Sequence, residues 1–295
     1  MEFDQSRCEL CPRRCGADRT QRQGLCGGGG LPRVARAALH HWEEPCISGT
    51  SGSGTVFFSG CPLRCCFCQN YRISAQNFGV EVTPKRLAEI FRSLQEQGAH
   101  NINLVNPTQY LPWILEALNR ADLSIPVVYN SGGYERVETL RALEGYVDVY
   151  LPDLKYIDSS RSQRYSGASD YFEAASSAII EMHRQVGKPQ FKDGLLQRGM
   201  IVRHLVLPKG REDSFQVLNW LSEQFSPDEF LISVMSQYTP YYRSAEFPEI
   251  NRRIFSAEYN SVVDCANRLG LEGYLQEKSS AKEEYTPPFD LEGIF

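Results

Sequence analysis

The strongest constraint on the fold is an alternation of short apolar runs with helical patterns that begins at Thr55. Strands are predicted at residues 55–58, 101–105, 126–129, 146–154, 200–207 and 229–234. Helices are predicted at residues 84–97, 135–143, 170–186, 213–224 and 257–269. Strands that alternate with helices imply a parallel sheet, because each helix returns the chain to the start of a neighbouring strand. The sequence therefore predicts an α/β fold that binds its ligands at the carboxyl ends of the strands.

Three cysteines follow the first predicted strand at the spacing C-x3-C-x2-C: Cys61, Cys65 and Cys68. Thiolates are the soft ligands that iron–sulfur clusters require, and a cubane cluster with only three protein thiolates keeps one iron open. A substrate or cofactor can bind at that open iron. Cys66 lies between two of these positions and cannot replace either without disturbing the spacing, so we predict a buried, inert thiol.

The triplet and several longer phrases resemble the radical S-adenosylmethionine superfamily. Its signature is C-x3-C-x-φ-C with an aromatic residue before the last cysteine, and Phe67 fills that place. More narrowly, the chain resembles the pyruvate formate-lyase activating enzyme-like iron–sulfur proteins. The matching phrases are EEPCISG at 43–49, GSGTVFFSGC at 52–61, LPDLKY at 151–156, VRHLVLP at 202–208 and MSQY at 235–238. The resemblance implies a partial (βα)6 TIM-type barrel with the N-terminal cysteine-rich segment attached.

The resemblance also implies a chemistry. A [4Fe–4S] cluster would be held by Cys61, Cys65 and Cys68, with its open iron chelated by the amino and carboxylate groups of S-adenosylmethionine. One electron from the reduced cluster would break the sulfonium C–S bond, giving methionine and a 5′-deoxyadenosyl radical that abstracts a substrate hydrogen. A reductant such as flavodoxin or ferredoxin would supply the electron. The protein's share is positioning, exclusion of water and tuning of the cluster potential.

Polar residues after the second and third predicted strands are candidates for binding S-adenosylmethionine. Asn106 and Thr108 follow the second strand, where the family has a Gly-Gly-Glu type motif. The glutamate is absent there, which leaves backbone carbonyls or Thr108 as substitutes; the alternative is a capped turn. Asn130 and Ser131 follow the third strand, and the next two glycines allow close approach of the backbone to a ligand.

Charged residues interrupt two other apolar strands. Asp153 and Lys155 project to the same side because their spacing is two, and buried charges must be paired or used. The resemblance implies a place near cofactor and substrate, and the alternative is an internal ion pair. Arg203 could meet the methionine carboxylate with its planar fork. His204 points the opposite way and is either a core histidine or a catalytic one.

Aromatic and amide side chains complete the candidate site. Phe67 either packs near the adenine or fills the core. Gln237 and Tyr238 end the sixth strand and are predicted as catalytic groups on the substrate side.

The N-terminal segment carries a second cysteine pattern, C-x2-C-x3-C-x10-C, at Cys8, Cys11, Cys15 and Cys26. Four thiolates can close a tetrahedral zinc site or hold a second cluster, so zinc, iron and a second [4Fe–4S] cluster all stay open. The glycine run at 27–30 is predicted to be a flexible loop or linker. Cys46 and Cys265 have no partner at ligand spacing and are predicted to be structural.

These patterns divide the chain into a metal-binding module with its linker at 1–45, a partial barrel at 46–245 and a C-terminal helical extension at 246–295. The N-terminus lacks the order of a secretory signal, and no transmembrane helix is evident, so the expected location is the cytoplasm. Cysteines are reduced there, which favours metal ligation over disulfides. The 31 basic and 36 acidic residues give a net charge of −5, so neither nucleic acid nor membrane is an expected partner.

Three functions are compatible with the sequence. The first is a glycyl-radical activase, which takes hydrogen from a backbone glycine of a partner enzyme. The second is a radical enzyme that acts on another peptide or on a small molecule. The third, a non-catalytic iron–sulfur electron-transfer protein, is less favoured because electron transfer alone needs no cofactor pocket.

Overall fold

A computed structural model describes residues 3–276 and 287–295. The strands of these residues are β1 (Arg33–His40), β2 (Ser53–Phe58), β3 (Val80–Glu81), β4 (Ile102–Val105), β5 (Val127–Ser131), β6 (Val149–Pro152), β7 (Gln190–Lys192), β8 (Leu195–Leu205), β9 (Leu231–Met235) and β10 (Gly273–Leu275). The helices are α1 (Pro45–Ser48), α2 (Tyr71–Ser74), α3 (Pro84–Glu96), α4 (Leu111–Ala121), α5 (Val137–Arg141), α6 (Ser159–Ser166), α7 (Tyr171–Val186), α8 (Arg211–Gln224) and α9 (Ser256–Arg268). Within these ranges, no helix has both the length and the apolar character that crossing a membrane requires.

The strands form one sheet in the order β10-β9-β8-β6-β5-β4-β2-β1-β3, and β7 pairs with β8. Neighbours from β2 to β10 along this path are parallel. Strand β1 is antiparallel to β2, and β3 is antiparallel to β1. The predicted parallel sheet is therefore confirmed, with the six predicted strands appearing as β2, β4, β5, β6, β8 and β9. Among the described residues β3 and β10 stand at opposite ends of the path and do not pair with each other, so the sheet is open, as in the predicted partial barrel.

Successive residues of the parallel strands face two different environments. In β5, Tyr129 packs into the main hydrophobic core, whereas Asn130 lines an interior cavity. In β8, Val202 packs into that core and Arg203 lines the cavity. Side chains alternate between the two faces of a strand, so apolar residues cover the helix side, and polar residues near the carboxyl ends of the strands line the cavity. This arrangement explains how charges can interrupt apolar runs.

Several elements were not predicted from the sequence, among them α4 and β1. Pro112 lies in the first turn of α4, where a missing N–H costs no hydrogen bond. The buried residues Leu111, Ile114 and Leu118 of this helix repeat at spacings of three and four. Strand β1 is antiparallel to β2 and precedes the alternation of strands and helices. The alternation therefore did not predict it.

The sheet extends beyond residues 46–245 at both ends. Strand β1 lies before this range, and β10 follows α9 and pairs with β9. The last residues also contact β1, because the Leu291 amide donates to the Ala35 carbonyl at 3.1 Å and the Ala37 amide donates to the Glu292 carbonyl at 2.9 Å. The C-terminal part therefore contributes a strand and backbone contacts in addition to the predicted helix.

Residues 3–32 form loops that pack on the carboxyl-terminal side of the barrel. The Thr139 hydroxyl donates to the Leu10 carbonyl at 2.8 Å, which fastens these loops to α5. Gly27 and Gly28 are buried, so the glycine run is a packed loop and its prediction as a flexible linker was wrong. A Cβ on Gly28 would lie 2.6 Å from Nη2 of Arg19, so the absence of side chains is what allows this packing.

Candidate active site

A cavity of about 760 Å³ opens at the carboxyl ends of the parallel strands. Most of the residues predicted from the sequence line it: Cys61, Cys65, Phe67, Cys68, Asn106, Asn130, Ser131, Asp153, Lys155, Arg203, Gln237 and Tyr238. Thr108 does not belong to this lining of described residues. Its side chain is buried, and its hydroxyl donates to the Glu135 carboxylate at 2.7 Å. The structure thus places Thr108 in a separate polar cluster, in contrast to its predicted contact with the cofactor.

The three cysteines after β2 each accept a hydrogen bond at sulfur. The donor–sulfur distances are 3.4 Å from the Leu63 amide to Cys61, 3.0 Å from the Ser166 hydroxyl to Cys65 and 3.2 Å from the Ser74 hydroxyl to Cys68. Hydrogen bonds to sulfur stabilise thiolate ligands and tune the potential of the cluster they hold. Three cysteine sulfurs in one region, each accepting a hydrogen bond, fit a cluster that is held by three thiolates.

Burial and the neighbouring thiols govern the protonation of these cysteines. Burial first, and then repulsion from Cys65, raises the pKa of Cys61 to about 12 and that of Cys68 to about 11. Burial also raises the pKa of Cys65, although the Lys155 ammonium opposes this. Metal binding must therefore displace protons. No three cysteine, histidine or acidic side chains in residues 3–276 and 287–295 already converge as a metal site, so the thiols must turn to bind a cluster.

Phe67 and Tyr238 pack against each other at the cavity wall. Their ring centroids are 5.7 Å apart in an edge-to-face arrangement. The Tyr238 hydroxyl donates to the Ile250 carbonyl at 2.7 Å, and burial raises the pKa of this hydroxyl to about 12. Tyr238 therefore supports Phe67 and contacts the C-terminal segment, and its catalytic role stays a prediction. Gln237 lines the cavity, with its amide nitrogen 3.6 Å from the Met235 sulfur.

Asp153 and Lys155 form an ion pair with each other, and both line the cavity. Burial alone would lower the pKa of Lys155, but the Asp153 carboxylate and the nearby Cys65 thiolate raise it above its ordinary value. The Tyr171 hydroxyl accepts the Lys155 amide and donates to the Asp153 carbonyl, both at 2.9 Å. The structure therefore shows the internal ion pair, whereas a place beside cofactor and substrate stays a prediction.

The loop after β5 passes close to the end of β6. The Ser131 hydroxyl accepts the Gly133 amide at 3.2 Å, and the Asp153 amide donates to the Ser131 carbonyl at 2.9 Å. Gly133 has a φ of +76°, and a Cβ there would lie 2.1 Å from the Asp153 carbonyl oxygen. Only glycine fits, which keeps Asn130 and Ser131 beside the acidic end of β6.

Arg203 is held by two carboxylates that sequence reasoning did not place in the site. Its Nε and Nη2 donate to the two oxygens of Glu44 at 2.9 and 2.6 Å, and Nη2 also contacts the Glu43 carboxylate. Burial alone would lower the pKa of Arg203, but Glu44 and Glu43 raise it well above the ordinary value. The guanidinium fork that was predicted to bind the methionine carboxylate is therefore already filled. A charge in the middle of an apolar strand requires a counter-charge, and the phrase EEP supplies it.

Asn106 and His204 have different surroundings. The Asn106 side-chain amide donates to the Gly60 carbonyl, and its backbone amide donates to the Asn130 carbonyl at 2.8 Å. Asn106 thus connects Gly60, the residue before the first cysteine of the loop, with the end of β5. His204 has both ring nitrogens engaged, at 2.7 Å from the Leu154 carbonyl and 2.8 Å from the Ser214 hydroxyl. His204 is a core histidine.

With this geometry in place, the comparisons with known proteins decide the family. The sequence model of the Radical SAM superfamily matches residues 55–196, which include all three cysteines after β2. The chain belongs to the radical SAM superfamily. The uncharacterized protein MJ0674 of Methanocaldococcus jannaschii is 31% identical over 280 residues, covering 90% of this chain and 75% of that protein.

Solved structures of other radical SAM proteins share the fold. SuiB of Streptococcus suis aligns with a TM-score of 0.51 at 13% identity, over 76% of this chain and 48% of its own, so this chain spans about half the length of SuiB. Methylornithine synthase PylB aligns with a TM-score of 0.50 at 14% identity, over 82% of this chain and 72% of PylB. At these identities the likeness concerns the fold alone. The family implies a [4Fe–4S] cluster and S-adenosylmethionine, and the cysteine loop fits the cluster.

Proposed function

We propose that this radical SAM protein reductively cleaves S-adenosylmethionine and uses the product radical to abstract hydrogen from a substrate bound inside the barrel. The observation that carries the proposal is a single cavity lined by Cys61, Cys65, Cys68 and the Asp153–Lys155 pair. Cluster ligands and charged side chains face the same space, as a reaction at the cluster requires. A non-catalytic electron-transfer role has less support, because it needs no such cavity.

When bound, the cluster and S-adenosylmethionine supply a 5′-deoxyadenosyl radical, and the chain supplies the surroundings. Asn130 and Ser131 offer polar groups at the end of β5, in the same cavity as the three cysteines. The Asp153–Lys155 pair brings both signs of charge to the cavity, and Lys155 is close enough to Cys65 to favour its thiolate.

The substrate that we propose first is a glycine of a partner enzyme. The cavity rim supports it, because Trp42 and Leu275 line the cavity while 57% and 46% exposed. An apolar rim of this kind can receive a loop of another protein. The second candidate is a peptide or small molecule with charged groups. The charges inside the cavity, on Glu43, Glu44 and Arg203 besides the Asp153–Lys155 pair, support this candidate.

Anaerobic reconstitution tests the common step. The reduced protein should convert S-adenosylmethionine to 5′-deoxyadenosine and methionine, measured by liquid chromatography and mass spectrometry. Cys61→Ala, Cys65→Ala and Cys68→Ala should each abolish the product. Cys66→Ala is the matched control, because Cys66 is buried in the same loop but, among the described residues, does not line the cavity as the other three cysteines do. Retained cleavage in Cys65→Ala would refute the ligand assignment.

Deuterium transfer distinguishes the two substrates. A partner enzyme labelled at the glycine α-carbon should place deuterium in 5′-deoxyadenosine. Label acquired only from a deuterated peptide or small-molecule extract would support the second candidate instead. A flavodoxin or ferredoxin as reductant, a cytoplasmic location and a metal at the N-terminal cysteines stay separate predictions.

A further inference from the structure

We propose that Cys8, Cys11, Cys15 and Cys26 bind a second, thiophilic metal centre, and that this centre holds the loop that carries the catalytic cluster. Four thiolates in one place select zinc or an iron–sulfur cluster. The superfamily requires only the three cysteines after β2, so this centre goes beyond the proposed function.

The first support is a repeated hydrogen-bond pattern at sulfur. The Gly28 amide, two residues after Cys26 in the chain, donates to the Cys26 sulfur at 3.4 Å. The same relation occurs at Cys61 after β2, whose sulfur accepts the Leu63 amide at 3.4 Å. Amide donors aimed at sulfur stabilise a thiolate, which is the form that binds metal.

The backbone also brings the four cysteines together. The Cys8 amide donates to the Ala17 carbonyl and the Gly16 amide donates to the Cys8 carbonyl, both at 3.0 Å. The Cys15 and Cys26 sulfurs lie 3.4 and 3.6 Å from the point that a Cβ of Gly24 would occupy. Cys15 packs against the buried cluster that contains Cys8. The Arg14 amide donates to the Cys11 carbonyl at 3.0 Å, which turns the chain between Cys11 and Cys15. These thiols, like the catalytic ones, must turn to close on a metal, and rotation about χ1 needs no change in the backbone.

A buried cation beside this group lacks a carboxylate. Arg19 is 2% exposed, and its guanidinium lies 3.5 Å from the Cys8 sulfur. Its other donors reach the backbone carbonyls of Gly29 at 2.9 Å and Gln109 at 3.0 Å, and it stacks over the Trp113 ring. Among the described residues, no carboxylate forms an ion pair with it. A buried charge needs a counter-charge, and a tetrathiolate metal centre carries the required negative charge.

This group of cysteines is joined directly to the catalytic loop. The Cys61 amide donates to the Cys26 carbonyl at 2.8 Å. Gly60 has a φ of +84°, and a Cβ there would lie 2.5 Å from the same carbonyl oxygen. Arg13 donates to the Pro62 carbonyl at 3.0 Å and to the Ser166 carbonyl at 3.1 Å. A metal that fixes Cys26 and the loop around Arg13 therefore also fixes the residues around the catalytic sulfurs.

Metal analysis of the full chain with Cys61, Cys65 and Cys68 all changed to Ala tests the second centre. We expect this folded variant to retain zinc, or iron with acid-labile sulfide, at about one centre per chain. The sulfide content distinguishes a single ion from a cluster, and either result supports the site. Adding Cys11→Ser and Cys15→Ser should remove the metal, whereas adding Cys265→Ala should leave it in place. A folded triple variant without zinc or iron would overturn the proposal, whatever the outcome for S-adenosylmethionine cleavage.

Two further measurements keep the test decisive if the variants with N-terminal substitutions do not fold. Cobalt(II) added to the metal-stripped triple variant should give the visible absorption of a tetrahedral cobalt–thiolate centre, and its absence would count against the site. In the otherwise unchanged protein, Cys11→Ser should speed iron release from the catalytic cluster to a chelator severalfold. An unchanged release rate, with the N-terminal metal shown to be lost, would refute the link between the two centres.

Discussion

Arg203→Met tests whether this guanidinium is the counter-ion of Glu44 or a binding group for the cofactor. The substitution keeps an unbranched side chain of similar length but removes the charge. The Glu44 side chain is 6% exposed and that of Glu43 is 9% exposed, so both carboxylates would stay buried. Glu43 keeps a hydrogen bond from the Asn103 side-chain amide at 2.9 Å. Glu44 loses both of its hydrogen bonds from Arg203, so most of the destabilisation should come from Glu44.

The magnitude follows from the protonation of Glu44. A buried pair that loses one partner costs about 3–5 kcal/mol. The alternative for Glu44 is to take up a proton, which at pH 7.5 costs about 4.4 kcal/mol for a carboxyl with an ordinary pKa of about 4.3. We therefore expect the free energy of unfolding to fall by about 4 kcal/mol at pH 7.5. Because protonation becomes easier by about 1.4 kcal/mol per pH unit, the loss should shrink to about 1.6 kcal/mol at pH 5.5.

Urea unfolding under anaerobic conditions, followed by circular dichroism at both pH values, measures this loss. Adding Glu44→Gln to Arg203→Met should recover most of the stability at pH 7.5. Arg120→Met is the control, because its pair with Glu116 is about half exposed and should contribute less than about 1 kcal/mol. A loss below about 1 kcal/mol, or one that does not change with pH, would refute the counter-ion role. The Arg203 guanidinium is already bound to Glu44. Arg203→Lys should therefore lower the free energy of unfolding by more than it weakens the free energy of S-adenosylmethionine binding, which isothermal titration measures.

Three further predictions concern single contacts around the site. Burial raises the pKa of Glu135 to about 7, so the folded protein binds this proton more tightly than the unfolded chain does. Between about pH 4.5 and pH 7 the free energy of unfolding should therefore fall by about 3 kcal/mol as pH rises, and a Glu135→Gln variant whose pH-stability curve parallels the wild-type curve would contradict this. Ser166→Ala removes the hydroxyl that donates to the Cys65 sulfur, and the cluster potential in an EPR-monitored redox titration should become more negative; an unchanged potential would argue against this bond. Gly133→Ala should destabilise the fold by about 1–3 kcal/mol in urea unfolding, because its Cβ would meet the Asp153 carbonyl, and a variant of wild-type stability would show that the loop can move aside.

The sequence by itself determined the parallel sheet and the loop with three cysteines after β2, because both depend on local patterns. Apolar runs of strand length between amphipathic helices have few other ways to bury their surface, and the C-x3-C-x2-C spacing places three thiols in one loop. The relation between Asp153 and Lys155 is equally local. Their spacing of two on a strand brings them to one side, where they pair.

Only the tertiary structure decided which partner each remaining group has. Arg203 meets Glu44 across 159 positions of sequence, so no local pattern could show that its fork was filled. Thr108 and Tyr238 were candidates because they end strands, yet Thr108 turns to Glu135 and Tyr238 turns to Ile250. The glycine run near Cys26 was predicted to be flexible from its composition, but the buried side chain of Arg19, from another part of the N-terminal segment, packs against it. Spacing along the chain determines which side chains share a face, whereas the counter-charge or acceptor that a buried polar group requires is supplied by whichever distant segment folds against it.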